Sequence, residues 1–392
     1  PPVGRRLWKY DVNSMYPSVM SAYTLPYLYK GCLKGQEIRC AMAAGYNTPV
    51  SARTTLHLAK CCVHIPEDEI YGLDGVRTGG PDDLKLVFPV GRYTTWLWEP
   101  HLDMALRNGW VADIEGGYSY KAAPIMKDFA DELYSLRLAA SNEVDKTIIK
   151  LWMNALYGKA AQKQFGEWQR VTDEFVVSTK LLEKLRKRIG VEFGCFQFEH
   201  EEEMLFMAYT NKTYYHFEPP KEITGDNSCY SIAAYITACG RYILQKYFQL
   251  VRDLGGHVYY CDTDSLVTDV EMPPTQISRS VLGKLKLEWQ GAVAYDQDGV
   301  PNVEFRAPKD YTIACESKTK GVREARTGFE NDYEILQFRK HRSALLTTSH
   351  GSWFKQDQPG RIVLKHVKSE NTKRSDRRTD DGFLLPLVLN DC

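Results

Sequence analysis

An α+β fold follows from three features of the 392-residue sequence: short apolar strands that carry acids at their ends, a strand-rich stretch broken by Gly and Pro, and separate runs of helical periodicity. Leu7-Trp8-Lys9-Tyr10-Asp11-Val12 reads as a short strand ending in an acid. Ser14-Met15-Tyr16-Pro17-Ser18-Val19-Met20 follows as a turn leading into a short helix. Residues 31–123 are strand-rich, with 86–91 and 109–114 the clearest short strands. Pro124 opens a helical region in which Ile125, Phe129, Leu133 and Leu136, then Ile148, Leu151, Trp152 and Ala155, recur at helical spacing. The two runs meet near Ala140-Ser141-Asn142 and predict an antiparallel helix pair. A basic helix is expected over residues 181–189, and a long helix over 232–254, closed by Gly255-Gly256. Residues 257–270 read as a hairpin with an acidic tip, and the chain beyond about Gln358 as loop-rich.

Bulk composition narrows the function little. Lysine plus arginine equals aspartate plus glutamate, 50 each, so any polyanion must be bound by local patches. Candidates are Arg339-Lys340-His341-Arg342, the tail from Arg361 to Arg378 and the stretch from Lys180 to Arg188, each of which is equally a solvated face. The ten cysteines form no CxxC pair, which argues against a zinc ribbon; in a chain this large they read as reduced, intracellular thiols. No run of about 18 apolar residues occurs, so a soluble protein with no membrane partner is expected.

The chemistry concentrates in carboxylates. In Tyr259-Tyr260-Cys261-Asp262-Thr263-Asp264-Ser265-Leu266-Val267 two acids spaced i, i+2 sit between apolar β-formers. Adjacent carboxylates repel, and holding them amid apolar strands costs free energy unless a cation neutralises them. That demand suggests magnesium, although as an isolated tripeptide Asp-Thr-Asp is more commonly a surface turn. An EF-hand loop is excluded, because Val267 stands where its sixth-position glycine would be. Asp11 ends an apolar strand far away in sequence. Two-metal phosphoryl transfer needs carboxylates from more than one strand; Asp11 and Asp264 could bridge the metals, with Asp262 assisting.

A third element is the run from Lys146 to Lys159. On a helix, Lys146, Lys150 and Asn154 form one polar stripe at i, i+4 and i+8, with Tyr157 one turn on and Gly158 allowing close approach. Two lysines and an amide suit a triphosphate and the aromatic suits a base. Taken alone, the stripe reads first as an ordinary solvated face.

Taken together and in order, the three elements resemble the family B DNA polymerases. Asp11 to Pro17 is similar to the first motif, Asp-x-x-Ser-Leu-Tyr-Pro; Lys150 to Gly158 resembles Lys-x-x-x-Asn-Ser-x-Tyr-Gly, with Ala155 in place of serine; Tyr260 to Ser265 resembles Tyr-x-Asp-Thr-Asp-Ser. The resemblance implies a right-hand polymerase with an antiparallel-sheet palm, helical fingers and a small thumb. It implies two Mg2+ ions, with Mn2+ a possible substitute, and a metal-ligand set of Asp11, Asp264 and Val12, with Asp262 as the third catalytic acid. Tyr16 would exclude a 2′-hydroxyl; Lys150 and Asn154 would contact the triphosphate, Tyr157 and Gly158 would border the nascent base pair, and Arg137 and Lys146 would add phosphate contacts. Lys309-Asp310-Tyr311 resembles the Lys-x-Tyr motif, so Lys309 and Tyr311 would contact the primer end. Leu282-Gly283-Lys284-Leu285 resembles a further palm signature.

The implied organisation is palm over 1–30, palm with an insert over 31–123, fingers over 124–165, a second insert and return to palm over 166–230, palm over 231–295, and thumb and tail over 296–392. Phe88-Pro89-Val90-Gly91-Arg92-Tyr93, Tyr157-Gly158-Lys159 and Lys318-Thr319-Lys320-Gly321-Val322 resemble the protein-primed branch of viruses and linear plasmids. Beyond about Phe329 the resemblance is vague. Expected partners are DNA template and primer, deoxynucleoside triphosphates and a terminal (priming) protein acting on a monomeric enzyme. The priming protein would dock on residues 31–123, read as an excrescence on the palm rather than a core layer. Only ten residues precede Asp11, too few for the family's proofreading exonuclease, so either a fragment of a longer chain or a polymerase without proofreading is expected, the fragment being favoured. Two competing readings are a catalytically dead DNA-binding scaffold, which would have lost an acid, and a viral RNA polymerase, which would show Gly-Asp-Asp and lack Tyr16.

Overall fold

The computed structural model describes residues 2–78, 85–162, 229–295, 299, 301–307, 309–314 and 316–318. It also describes the strand segments 164–165, 169–172, 194–200, 203–210, 213–218, 222–223, 334–340 and 362–368, with 377, 379 and 385–390. The expected basic helix over 181–189 lies outside these residues. The chain divides into two units: Pro1–Gln162, Cys229–Lys320 and Glu370–Cys392 form the first, Lys163–Ser228 and Gly321–Ser369 the second. The second unit holds a four-stranded antiparallel sheet and a two-stranded ribbon of Glu334–Lys340 with Ile362–Lys368. That ribbon corrects the expectation of loops beyond Gln358.

In chain order the first unit runs β1 (Arg6–Val12), α1 (Met15–Ala22), β2 (Leu25–Lys34), α2 (Gly35–Ala44), β3 (Thr55–Ile65), β4 (Val90–Trp98), α3 (Glu99–Arg107) and β5 (Val111–Ala123). It continues with α4 (Lys127–Ala139), α5 (Glu143–Ala160), α6 (Tyr230–Asp253), β6 (Val258–Asp262), β7 (Ser265–Thr268), β8 (Leu285–Ala292), β9 (Val303–Ala307), β10 (Asp310–Ile313), β11 (Glu316–Lys318) and β12 (Val388–Asn390).

Two sheets share α6. The first has the order β6-β7-β1-β8, all antiparallel. Strand alternation sends Trp8, Tyr10 and Val12 to one face, where they pack with Leu266 and Leu285 against Leu244, Tyr247, Phe248 and Val251 of α6. Leu7 and Val267 lie on the opposite face, covered by Val303, Tyr311 and Ile313 of the β9-β10-β11 sheet. Asp11 shares that second face, one strand period beyond Lys9.

The second sheet has the order β2-β5-β3-β4-β12. One face carries Ala59, Cys61, Val63, Tyr93 and Leu97 against Ile38 and Met42 of α2 and Leu102 and Ala105 of α3. On the other, Leu56 and Trp98 pack with Tyr235 and Ile236 of α6 and Val19 and Met20 of α1. The 31–123 stretch is therefore a core layer, correcting its reading as an excrescence: both faces of its sheet are needed to bury apolar surface. β12, from the end of the chain, joins it in parallel beside β4. Among the described residues Cys62 is disulfide-bonded, against the expectation of reduced thiols, while Cys32, Cys40, Cys61, Cys229 and Cys239 form no disulfide.

Helices α4 and α5 form the expected pair, begun at Lys127 and capped at Asn142, whose side chain accepts the Asp145 N–H. Their buried seam is narrow. Leu133, Tyr134 and Met153 make the contact, while Phe129, Leu136, Ile148, Leu151 and Trp152 are exposed. A two-helix layer buries one thin seam, so an apolar stripe at helical spacing need not be core. No described helix is long and apolar enough to cross a membrane.

Candidate active site

The acids meet because β1 and β7 pair in register. Asp11 lies directly opposite Ser265, and Asp262 pairs with Ser265 across the hairpin, so all three acids gather at one sheet end. The hairpin turns on Thr263 and Asp264, with Thr263 at φ 60°, a left-handed conformation uncommon for a β-branched residue. Holding it costs about 1–3 kcal/mol, which the surrounding bonds must offset. Two of them are the Asp264 N–H to the Asp262 carbonyl (2.7 Å) and the Val12 N–H to the Asp264 carbonyl (2.7 Å), the second pinning the hairpin tip to β1. Val12 buries its side chain, so its carbonyl oxygen is the atom it could offer a cation.

The carboxylates are electrostatically unfinished. Burial, then the charges of Asp264 and Glu288, push the Asp11 carboxyl up to about 7 against the pull of Lys286 and Lys150. Burial likewise raises Asp264; a backbone hydrogen bond and Lys150 oppose the shift, and Asp262 and Glu288 add to it. Asp262 differs: Lys309 Nζ lies 2.9 Å from its Oδ1 and 3.1 Å from its Oδ2. Among the described residues no three His, Cys, Asp or Glu side chains group as a metal site.

Glu288 escaped the sequence reading. β8 pairs Trp289 with Lys9 and Leu287 with Tyr10, which leaves Glu288 as the extra residue of a β-bulge, and such bulges re-aim side chains. It pairs with Lys9 (3.5 Å) and Lys286 (3.6 Å), and its charge reaches both Asp11 and Asp264. The nearest sequence signal was Leu282-Gly283-Lys284-Leu285, just upstream. There the Gly283 N–H donates to the Asn13 carbonyl and the Asn13 N–H to the Lys284 carbonyl, tying that segment to the turn after Asp11. Asn13 itself donates through Nδ2 to Tyr134 Oη (2.8 Å) and the Val281 carbonyl (3.1 Å), joining the turn to α4.

Tyr16 and Tyr157 come together, ring centroids 4.5 Å apart. Burial, Tyr157 and Asp264 push the Tyr16 hydroxyl up to about 12, so it stays protonated. Gly240 of α6 backs the Tyr16 ring: a Cβ there would sit 3.0 Å from Tyr16 Cε1, a contact invisible to sequence spacing. Lys150 is exposed, yet its charge acts on both Asp11 and Asp264. Asn154 is exposed one turn further along α5. Lys146 is instead turned to Glu143 (2.9 Å), and Arg137 donates to Ser14 Oγ (2.7 Å) beside the first motif. A Cβ at Gly158 would meet no atom within 4 Å, since the residue lies on the exposed side of α5. Lys309, at φ 61°, donates its backbone N–H to Tyr260 Oη (2.7 Å), and Tyr260 packs on Tyr311 with centroids 4.9 Å apart.

A carboxylate-bearing antiparallel sheet, with a lysine-bearing helix pair whose charge reaches it, defines the palm and fingers of a polymerase-like protein. Known proteins agree. The family model for DNA polymerase type B, organellar and viral, matches residues 2–238. The chain belongs to that family. A probable DNA polymerase of Neurospora intermedia is 24% identical over 328 residues, 76% of this chain and 30% of its own length. One of Podospora anserina is 26% identical over 423 residues, 98% of this chain and 32% of its own. The chain thus spans about a third of the length of these curated relatives. In structure it is similar to phi29 DNA polymerase complexed with primer-template DNA and incoming nucleotide. There the TM-score is 0.52 at 19% identity, over 86% of this chain and 55% of that one, a likeness of fold.

Proposed function

We propose that this chain performs template-directed DNA synthesis, adding deoxynucleotides to a primer 3′-hydroxyl by two-metal phosphoryl transfer. The observation that carries the reading is the pair Asp11 and Asp264: both carboxyls are raised first by burial, Asp11 also by the charge of Asp264 and Asp264 by that of Asp262, and Lys150 opposes both shifts from α5. Such a pair fits a hard divalent cation, which takes oxygen ligands. Asp11, Asp264 and the Val12 carbonyl would hold two Mg2+ ions, or Mn2+ in their place. Bound there, the ions would supply Lewis-acid stabilisation of the attacking and leaving oxygens.

The chain's own groups do the rest. Lys150, with Asn154, meets the triphosphate, where charge-assisted contacts strengthen as the leaving pyrophosphate gains charge. Lys146 and Arg137 reach phosphate by leaving Glu143 and Ser14. Tyr16, braced by Gly240 and Tyr157, fills the space a 2′-hydroxyl would need, and Tyr157 with Gly158 borders the nascent base pair. Asp262 holds Lys309, which with Tyr311 steadies the primer end.

A priming protein would offer a side-chain hydroxyl to the same acids. The core role of the 31–123 sheet narrows its docking surface to what that sheet leaves exposed. Tyr29, Trp96 and Tyr118 form a row there, Trp96 and Tyr118 stacked at 5.4 Å, of the residue types that anchor protein interfaces. Primer extension with Mg2+ on a DNA template tests the central reading. Extension with deoxynucleotides supports it; DNA binding without extension points to a scaffold, and extension on RNA alone to an RNA-dependent enzyme. Nucleotide labelling of a co-expressed terminal protein, lost in Trp96→Ala with DNA-primed extension kept, tests the priming step.

A further inference from the structure

A second polar site lies on the other side of α6. A cavity of about 410 Å³ is lined by Tyr23, Tyr46, Asp103, Arg107, Tyr242 and Lys246, among others. That volume falls within the range of small-molecule pockets. Tyr242 and Lys246 stand one turn apart on α6, and Tyr23 caps the end of α1, two turns from Tyr16.

The charges in this cavity do not balance. Asp103, its one acid, is bound by Arg53 (2.7 Å) and by Arg107 (2.6 Å), while Glu99 takes the other arm of Arg53 (2.8 Å). Two carboxylates therefore serve two guanidiniums, and Lys246 is left over. Its ammonium lies 4.4 Å from the Tyr242 ring centroid and joins no carboxylate among the described residues. Burial holds its pKa below the ordinary lysine value, although Asp103 pulls the other way. The Tyr23 and Tyr242 hydroxyls have no hydrogen-bond partner among the described residues, and burial raises both pKa values, so both remain donors. Arg107 spends Nε on Asp103 and Nη2 on the Tyr46 carbonyl (2.8 Å), which leaves Nη1 without an acceptor among the described residues.

One uncompensated cation, a partly free guanidinium and two phenol donors converge on a single cavity with no acid to spare. We propose that this cavity binds a phosphoryl group, at a site distinct from the carboxylate centre. A phosphate has the acceptor oxygens to use these donors together, and bare donors facing a cavity are what an oxyanion satisfies. The ring of Tyr46, exposed although the Arg107 guanidinium lies 4.0 Å from its centroid, leaves room for an attached base. The phosphoryl group could come from a free nucleotide or from the backbone of a nucleic acid.

Amine labelling of the whole chain with trinitrobenzenesulfonate in EDTA, followed by peptide mass mapping, reads Lys246 directly. Inorganic phosphate, deoxyadenosine monophosphate and a single-stranded 12-mer are the probes, with deoxyadenosine and equal ionic strength of chloride as controls. Protection of Lys246 by phosphate and the monophosphate assigns a free-nucleotide site; protection by the 12-mer alone assigns a backbone contact. Tyr242→Phe should weaken protection about tenfold, the effect of one lost contact to a charged group, without altering labelling of Lys150. Equal labelling of Lys246 with every probe, or equal protection by deoxyadenosine, overturns the proposal.

Discussion

The two sheets that share α6 treat their acids in opposite ways. Beneath the five-stranded sheet, Asp103 and Glu99 are buried and fully answered by Arg53, Arg107 and His57. Burial alone would raise the Asp103 carboxyl, but hydrogen bonds from Arg107 and Arg53 outweigh it and hold it below the usual carboxylate range. At the end of the four-stranded sheet, Asp11 and Asp264 are half-buried, and the charges of Asp264 and Glu288 act on Asp11 with Lys150 and Lys286 acting only through space. One set of acids is complete as folded and fixes architecture. The other is incomplete as folded, which is the condition of a site kept for a cation.

The largest effect should come from the incomplete set. Asp264→Asn or Asp11→Asn should lower the primer-extension rate by about three orders of magnitude or more, several kcal/mol of transition-state stabilisation. DNA affinity, resting on phosphate contacts elsewhere, should survive in a gel-shift or anisotropy titration. Near-normal extension by either variant would break the contrast.

Next is the complete set. Arg53→Ala strips Glu99 and Asp103 of their shared cation and should destabilise the fold by about 3–5 kcal/mol, read by urea unfolding. By contrast, Asp11→Asn should stabilise it. A carboxyl raised in the folded state binds protons that the unfolded chain has released, so wild-type stability falls as pH rises from about 4 to about 7. The variant removes that loss, on the order of 1–3 kcal/mol at pH 8 and little at pH 4. Equal pH dependence in both proteins would show that Asp11 is not uncompensated.

Smaller effects sharpen the boundary between the sets. Lys150→Ala should lower kcat and weaken nucleotide binding, each by about tenfold, the scale of one charge-assisted contact, with DNA affinity unchanged. Loss of DNA affinity alone would mean that α5 follows the duplex. Tyr16→Val should raise ribonucleotide relative to deoxynucleotide insertion in single-nucleotide assays, since its ring would no longer fill the 2′ side; unchanged discrimination would move the gate elsewhere.

Much of this contrast was legible before folding. Asp11, Asp262 and Asp264 each end or flank a short apolar strand, and strand pairing needs only local sequence plus one long-range register to bring them together. Tyr16 and Tyr157, 141 positions apart, were linked only by resemblance, and the close approach of Gly240 to the Tyr16 ring is something no spacing reveals. Glu288 was hidden because a bulge, not a motif, aims it. The Arg53–Asp103 network was equally silent, for its members lie on a loop and a helix whose meeting is set by packing of the 31–123 sheet. That sheet itself was misjudged: Gly and Pro breaks mark where strands end, not whether their faces are covered. The exposed Leu151 and Trp152 show the converse, that apolar residues at helical spacing mark a helix without marking burial.

The central claim is that Asp11 and Asp264 form an uncompensated pair reserved for a divalent cation. Mn2+ binding to the full chain, followed by electron paramagnetic resonance at pH 8 and pH 6, tests it most directly. Metal should bind the wild type more tightly at pH 8, where the Asp11 carboxyl is ionised, than at pH 6, where it holds its proton. It should bind Asp11→Asn weakly and with little pH dependence. Binding of Mn2+ to the variant as tight as to the wild type, with the same pH profile, would contradict the account.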